Sequence, residues 1–169
     1  MRRGSSAWTV LRPSWFMQVL TDPRFGLDRA VAGGELPFAS GGARIAWIDA
    51  RDIAAVAERA LLDDGHHGAV YELTGPEALS LPHAAELLSR AVGSPVAHRE
   101  LTTAEAVTGA EGFDRELLEL TYERVRGGSF ATVTDAVERV TGRPARSLAG
   151  FLADAGPRLR RAGQAVPSA

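Results

Sequence analysis

An amphipathic helix held between two short apolar runs leaves this chain few folds to choose from. Asp49 stands as a helix N-cap, and Asp52 three residues on favours the positive end of the helix dipole. Ile53, Val56, Ala57, Ala60 and Leu61 then recur at helical spacing and predict one inward face, and Asp63-Asp64-Gly65 ends the run. Ala43–Ile48 before it and Ala69–Thr74 after it read as strands. Strand, helix and strand in that order predict an α/β fold.

The same alternation continues on both sides. Trp8–Leu11 is a β-branched, apolar run closed by Arg12-Pro13 and reads as a buried strand, and Ser14–Leu20 is too apolar for an exposed loop, so it reads as a short helix or turn lining the interior. The glycine- and proline-rich stretch 21–42 reads as loop with one helical turn near Leu27–Ala32. Gly75-Pro76 breaks the strand at Ala69–Thr74. Ser80 caps a helix with Pro82 in its first turn and Ala84, Leu87, Leu88 and Ala91 inside, and Gly93 stops it. Val96–Leu101 predicts a further strand. Helices are expected at Thr103–Thr108, at Asp114–Arg126 with Leu117, Leu118, Thr121, Tyr122 and Val125 inward, at Asp135–Thr141 and at Leu148–Ala155. This helical stretch predicts a cap beside the sheet. One domain over 1–157 and a disordered tail over 158–169 complete the expected organisation.

Composition removes whole classes of chemistry. The 169 residues suffice for one domain that buries roughly 70% of its unfolded surface. The net charge is −2, which gives no electrostatic case for nucleic acid or an anionic membrane. No apolar run approaches a membrane span, and the N-terminus lacks the long apolar core of a signal peptide, so a cytoplasmic protein is expected. Cysteine is absent, and with it disulfides, thiol nucleophiles and zinc–thiolate sites. Every basic residue is arginine, so no lysine serves as a Schiff base or phosphate ligand.

Four segments in order carry a family resemblance: WTVLRPSWFMQ from Trp8, ARIAWIDARDIAAVAERAL from Ala43, GAVYELTGPEALSLPHAAELLSRAVGSPV from Gly68 and FATVTDAVERVTGRPARSLAGF from Phe130. The series resembles the second half of NmrA-like proteins, the atypical, extended-type short-chain dehydrogenases and their non-catalytic relatives. It covers about residues 7–155. The resemblance implies part of a Rossmann-like fold with a helical cap, NAD(P) as the family's cofactor, and reduction of quinones, azo compounds or related small molecules; other members are redox-sensing regulators. The Gly-rich strand-to-helix turn that grips a pyrophosphate in such folds is missing, since the doublets Gly33-Gly34 and Gly41-Gly42 open no helix after a strand. This chain alone is therefore expected to bind no dinucleotide. The family's Tyr-x-x-x-Lys pair is replaced at the only matching spacing by Tyr122 and Arg126, which read as structural, and no catalytic residue is assigned.

Pro13, Ser14, Trp15 and Phe16 follow a strand end, where ligands collect in open α/β sheets, and the resemblance places this turn near nicotinamide and substrate. With Phe38 they are the expected liners of a pocket for a small aromatic or apolar ligand. Val19 stands where the family often carries asparagine. Asp49 and Asp52 read as helix-start residues rather than an acid–base pair, and Trp47, Tyr71 and Phe113 as core. His66-His67, with His83 and His98 elsewhere, has no metal-ligand spacing, so no metal is expected. Arg143-Pro144-Ala145-Arg146 predicts a structural salt bridge.

Three functional readings follow: an N-terminally incomplete oxidoreductase that is not catalytic alone, a free-standing binding module for a small ligand or a partner, and a redox-sensing regulator. All three leave the strand at Trp8–Leu11 without neighbours on one side. A homo-oligomer or a complementing chain is expected to cover it.

Overall fold

A computed structural model of the chain describes residues 7–25 and 27–164, apart from the side chains of 161–164. The first six residues, on which the signal-peptide reading partly rests, and residues 165–169 of the expected tail lie outside the described residues. Strand β1 (Thr9–Pro13) is followed by a 3-10 turn (Met17–Leu20), which buries Met17 and Leu20, and by another at Pro23–Phe25. Then come α1 (Leu27–Ala32), β2 (Glu35–Phe38), β3 (Arg44–Ile45), α2 (Ala50–Leu62), β4 (Ala69–Leu73) and β5 (Leu79–Ser80). Helix α3 (Leu81–Val92), β6 (Ala97–Glu100), α4 (Thr103–Ala106), α5 (Gly112–Arg126), α6 (Ala136–Thr141) and α7 (Leu148–Gln164) complete the chain.

The strands form three two-stranded ladders. β1 and β4 run parallel, from Thr9 opposite Ala69 to Pro13 opposite Leu73, and α2 is the crossover helix that parallel pairing requires. β2 and β6 are also parallel, from Glu35 opposite Ala97 to Phe38 opposite Glu100. β3 and β5 pair antiparallel, and a single bridge joins Phe16 to Ile48. Strand β2 lies in a stretch expected to be loop. Gly33-Gly34 and Pro37 mask it in the sequence, and its partner lies some sixty residues further on.

Two apolar clusters hold these ladders. The larger gathers Leu36, Phe38, Trp47, Leu88, Leu152 and Leu159 among β2, α3 and α7. The smaller packs Ile48, Val56, Leu73 and Val137 beneath β1 and β4, with Leu11, Ile53 and Tyr71 at its margin. The expected cap is divided accordingly: α7 packs on α3 and α1, and α6 packs on α2. The expected tail is corrected in part, because α7 runs on to Gln164 and buries Leu159 in the main cluster.

Three residues expected inside face water instead. Leu61 is 84% exposed, Phe113 74% and Leu117 49%. Their spacing marks an apolar stripe, but the described residues supply nothing to meet it. The buried strand expected at Trp8–Leu11 is corrected as well: on β1 and β4 the face opposite the core carries Val10 and Val70, both exposed, with Trp8 exposed just ahead of β1, because only alternate residues of the pair meet the core.

Candidate functional site

Parallel strands end their ladder with side chains and amides directed at the space beyond their carboxyl ends. At the end of β1 and β4 that space is a cleft of about 750 Å³. Its β1 side is Arg12, Pro13 and Ser14, and its β4 side is Glu72 and Thr74. The far wall comes from the end of α5 and the loop after it, with Arg124, Ser129, Phe130 and Thr132. Pro13 lacks an amide donor and closes the strand, so Ser14 turns out of it while its own amide still donates to the Leu73 carbonyl at 2.8 Å.

The far wall is pinned at three points. The Ala46 amide donates to the Phe130 carbonyl at 2.7 Å, the Thr134 amide donates to Thr74 Oγ1 at 2.9 Å, and Thr134 Oγ1 donates to the Glu72 carbonyl at 2.6 Å. Behind it lies an aromatic stack. The Trp15 ring meets Phe130 edge-on with centroids 5.5 Å apart, Phe38 at 5.0 Å and Tyr122 at 6.1 Å. Two polar atoms in this region are shut off from solvent without a hydrogen-bond partner among the described residues: Ser14 Oγ and Trp15 Nε1. Most such buried groups find a partner, which leaves Ser14 Oγ and Trp15 Nε1 as exceptions beside the cleft.

The charges are uneven. Arg12 Nη1 and Glu72 Oε1 form an exposed ion pair at 3.1 Å. Arg124 has no carboxylate partner among the described residues.

Of the five expected liners, Pro13 and Ser14 border this cleft. Trp15 backs it through Phe130. Phe16 is 41% exposed, is held by its bridge to Ile48, and does not border it. Phe38 lies buried behind Trp15, against Trp47 and Tyr122, because strand alternation in β2 turns Leu36 and Phe38 to the core. Its place is a correction to the expected lining. Glu72, Thr74, Arg124, Ser129 and Thr132 escaped the sequence reading. Phe130 and Thr132 lie inside a resembling segment, but nothing in spacing marks Arg124.

The remaining candidates have structural partners. Burial pushes the Tyr122 phenol above its ordinary value, the wrong direction for proton transfer near neutral pH, and Arg126 instead donates to Thr103 Oγ1 at 3.1 Å. Asp49 caps α2, accepting from the Arg51 amide at 2.9 Å. Asp52 is buried and pairs with Arg146, whose amide donates to its Oδ2 at 2.7 Å. His66 Nδ1 lies 2.8 Å from the Tyr71 hydroxyl, and His67 Nδ1 accepts from the Trp8 amide at 3.2 Å. Among the described residues no three histidine or acidic groups gather as a metal site, and no helix is long and apolar enough to cross a membrane.

A nicotinamide dinucleotide needs free amides at a helix start and a close backbone approach to its pyrophosphate. The described residues do not fit that need. The start of α2 is filled by the Asp49 carboxylate and by Gln18 Oε1, which accepts from the Ala50 amide. The start of α3 is capped by Ser80. Gly75 approaches the Trp47 carbonyl so closely that it opens onto no ligand.

No family model matches the chain. It is 39% identical over 151 residues to the uncharacterized oxidoreductase YesF of Bacillus subtilis, covering 86% of this chain and 52% of that protein. It is 36% identical over 156 residues to the NAD(P)H azoreductase of Xenophilus azovorans, covering 89% and 54%. The NADPH-dependent quinone oxidoreductase QOR2 of Escherichia coli, solved with NADPH, superposes with a TM-score of 0.72 at 26% identity, over 89% of this chain and 54% of that one. Fold and sequence thus agree that this is a Rossmann-like α/β chain homologous to oxidoreductases, and it spans about half the length of the curated relatives it matches.

Proposed function

We propose that this chain is the C-terminal, substrate-binding half of an NmrA-like, NAD(P)H-dependent oxidoreductase, inactive until another segment supplies the nucleotide-binding half. The cleft at the carboxyl ends of β1 and β4 carries the reading. It lies where ligands of open α/β sheets collect, the Arg12–Ser14 turn forms one side of it, and Phe130 over Trp15 offers an apolar wall to a small aromatic ligand such as a quinone. The relatives with NAD(P)H or NADPH in their names support the cofactor, and each is about twice as long as the matched region. The complementing segment, or a second copy of the chain, covers the open side of β1.

Titration of the pure chain tests this. 1,4-Naphthoquinone should quench tryptophan emission through Trp15, whereas NADPH should give no binding heat in calorimetry. Tight NADPH binding by the chain alone overturns the division of labour.

A further inference from the structure

We infer that the cleft seats an anionic group of its ligand, a carboxylate, sulfonate or phosphate, on the guanidinium of Arg124 with the Ser14 hydroxyl as second donor. The inference rests on the preceding reading that this cleft is the ligand site, and it adds the chemistry of what enters.

The charges around the cleft set the sign. Arg12 and Glu72 face each other at 3.1 Å and largely cancel. Among the described residues Glu72 is the only carboxylate that borders the cleft, so Arg124 leaves it with one uncompensated positive charge. An arginine beside water needs no partner, and its isolation alone would mean little. What gives it weight is the company it keeps. Ser14 Oγ is closed off from solvent and makes no hydrogen bond among the described residues, although Ser14 borders the same cleft. Thr74 Oγ1, by contrast, is committed to the Gly75 carbonyl and the Thr134 amide. Turned about its Cα–Cβ bond toward the cleft, the unpartnered Ser14 hydroxyl joins the planar Arg124 guanidinium as a donor set for an oxyanion, each giving a hydrogen bond to a different oxygen. The ion pair beside them tolerates no second carboxylate near Glu72, which directs the anion toward Arg124. Phe130 and Pro13 line the same space with apolar surface, so the group is carried by a flat, largely apolar molecule.

The test compares 1,4-naphthoquinone-2-sulfonate with 1,4-naphthoquinone, both followed by quenching of tryptophan emission on the intact chain. The sulfonate should bind on the order of tenfold tighter, the worth of one charge-assisted hydrogen bond. R124Q should abolish that advantage, R124K should keep part of it, and R90Q, an exposed arginine on α3 outside the cleft, should leave it unchanged. Arg124 is exposed, so these variants keep the fold, which circular dichroism verifies. Nicotinamide mononucleotide separates the two sources of an anion: R124Q weakening it in place of the sulfonate assigns the site to a cofactor phosphate, still an anion on Arg124. Equal affinity for the two quinones together with mononucleotide binding indifferent to R124Q, or a sulfonate advantage that survives R124Q, overturns this inference and leaves the substrate-half reading standing. Absence of binding by every probe overturns both.

Discussion

Asp49 and Asp52 sit one turn apart, both buried, and each answers to a different arginine. Burial opposes the charge on Asp49, but the Arg51 guanidinium and amide and the Gln18 carboxamide outweigh it, so the carboxyl is held below its ordinary value. A carboxyl depressed by folding stabilises the native state above its unfolded pKa of about 4, and that contribution is lost as pH falls through the lower folded value. Glu100 behaves alike: burial is outweighed by the Ser40 hydroxyl, the Gly41 amide and the nearby His98. Urea unfolding of Asp49→Asn should therefore show a lower midpoint than the parent at pH 7 and a shallower loss between pH 5 and pH 3. An unchanged acid limb would count against the network. The cap itself was legible, because an N-cap acts on the next two residues. Gln18 was not, and Arg146 was legible as a salt-bridge residue but not as the partner of Asp52, since these contacts span 31 and 94 positions of sequence and spacing carries no record of such a meeting.

Among the elements, the turn after β4 is the tightest. A Cβ built on Gly75 would lie 2.0 Å from the Trp47 carbonyl oxygen, a backbone atom that cannot swing aside. Gly75→Ala should cost about 3 kcal/mol through overpacking, read as a lower denaturant midpoint with unchanged slope. The sequence marked this glycine only as a strand breaker. Helices were otherwise readable from their caps and period, as Asp49, Ser80 and Gly93 attest. Which apolar stripes are covered was not readable: Leu61, Phe113 and Leu117 have the spacing of core residues and lie outside. Periodicity reports that a stripe exists, and only the neighbouring elements decide whether anything meets it. The cleft was half legible for the same reason. Its β1 side follows from a strand end, whereas Arg124 and Ser129 are brought in from α5 and its following loop.

At the scale of the whole molecule, β1 has β4 as its single ladder partner among the described residues, and Val10 and Val70 stand exposed on the pair. An unpaired edge beside apolar surface is a template for association. Light scattering should give a mass above the monomer that rises with concentration, and Val10→Lys with Val70→Lys should lower it; a clean monomer at high concentration would refute the proposed covering. The alternation of elements that defines this α/β chain was open to reading, but the division into three ladders was not, because ladder partners are chosen by distant segments. The pinned far wall of the cleft has a kinetic meaning of its own. With Phe130 tied to Ala46, and Thr134 tied to both Thr74 and Glu72, this wall among the described residues does not have to swing aside before a ligand arrives, and only the Ser14 hydroxyl has to turn. Stopped-flow association should then be a single step whose observed rate climbs linearly with ligand and never saturates, the behaviour of a berth that stands always open.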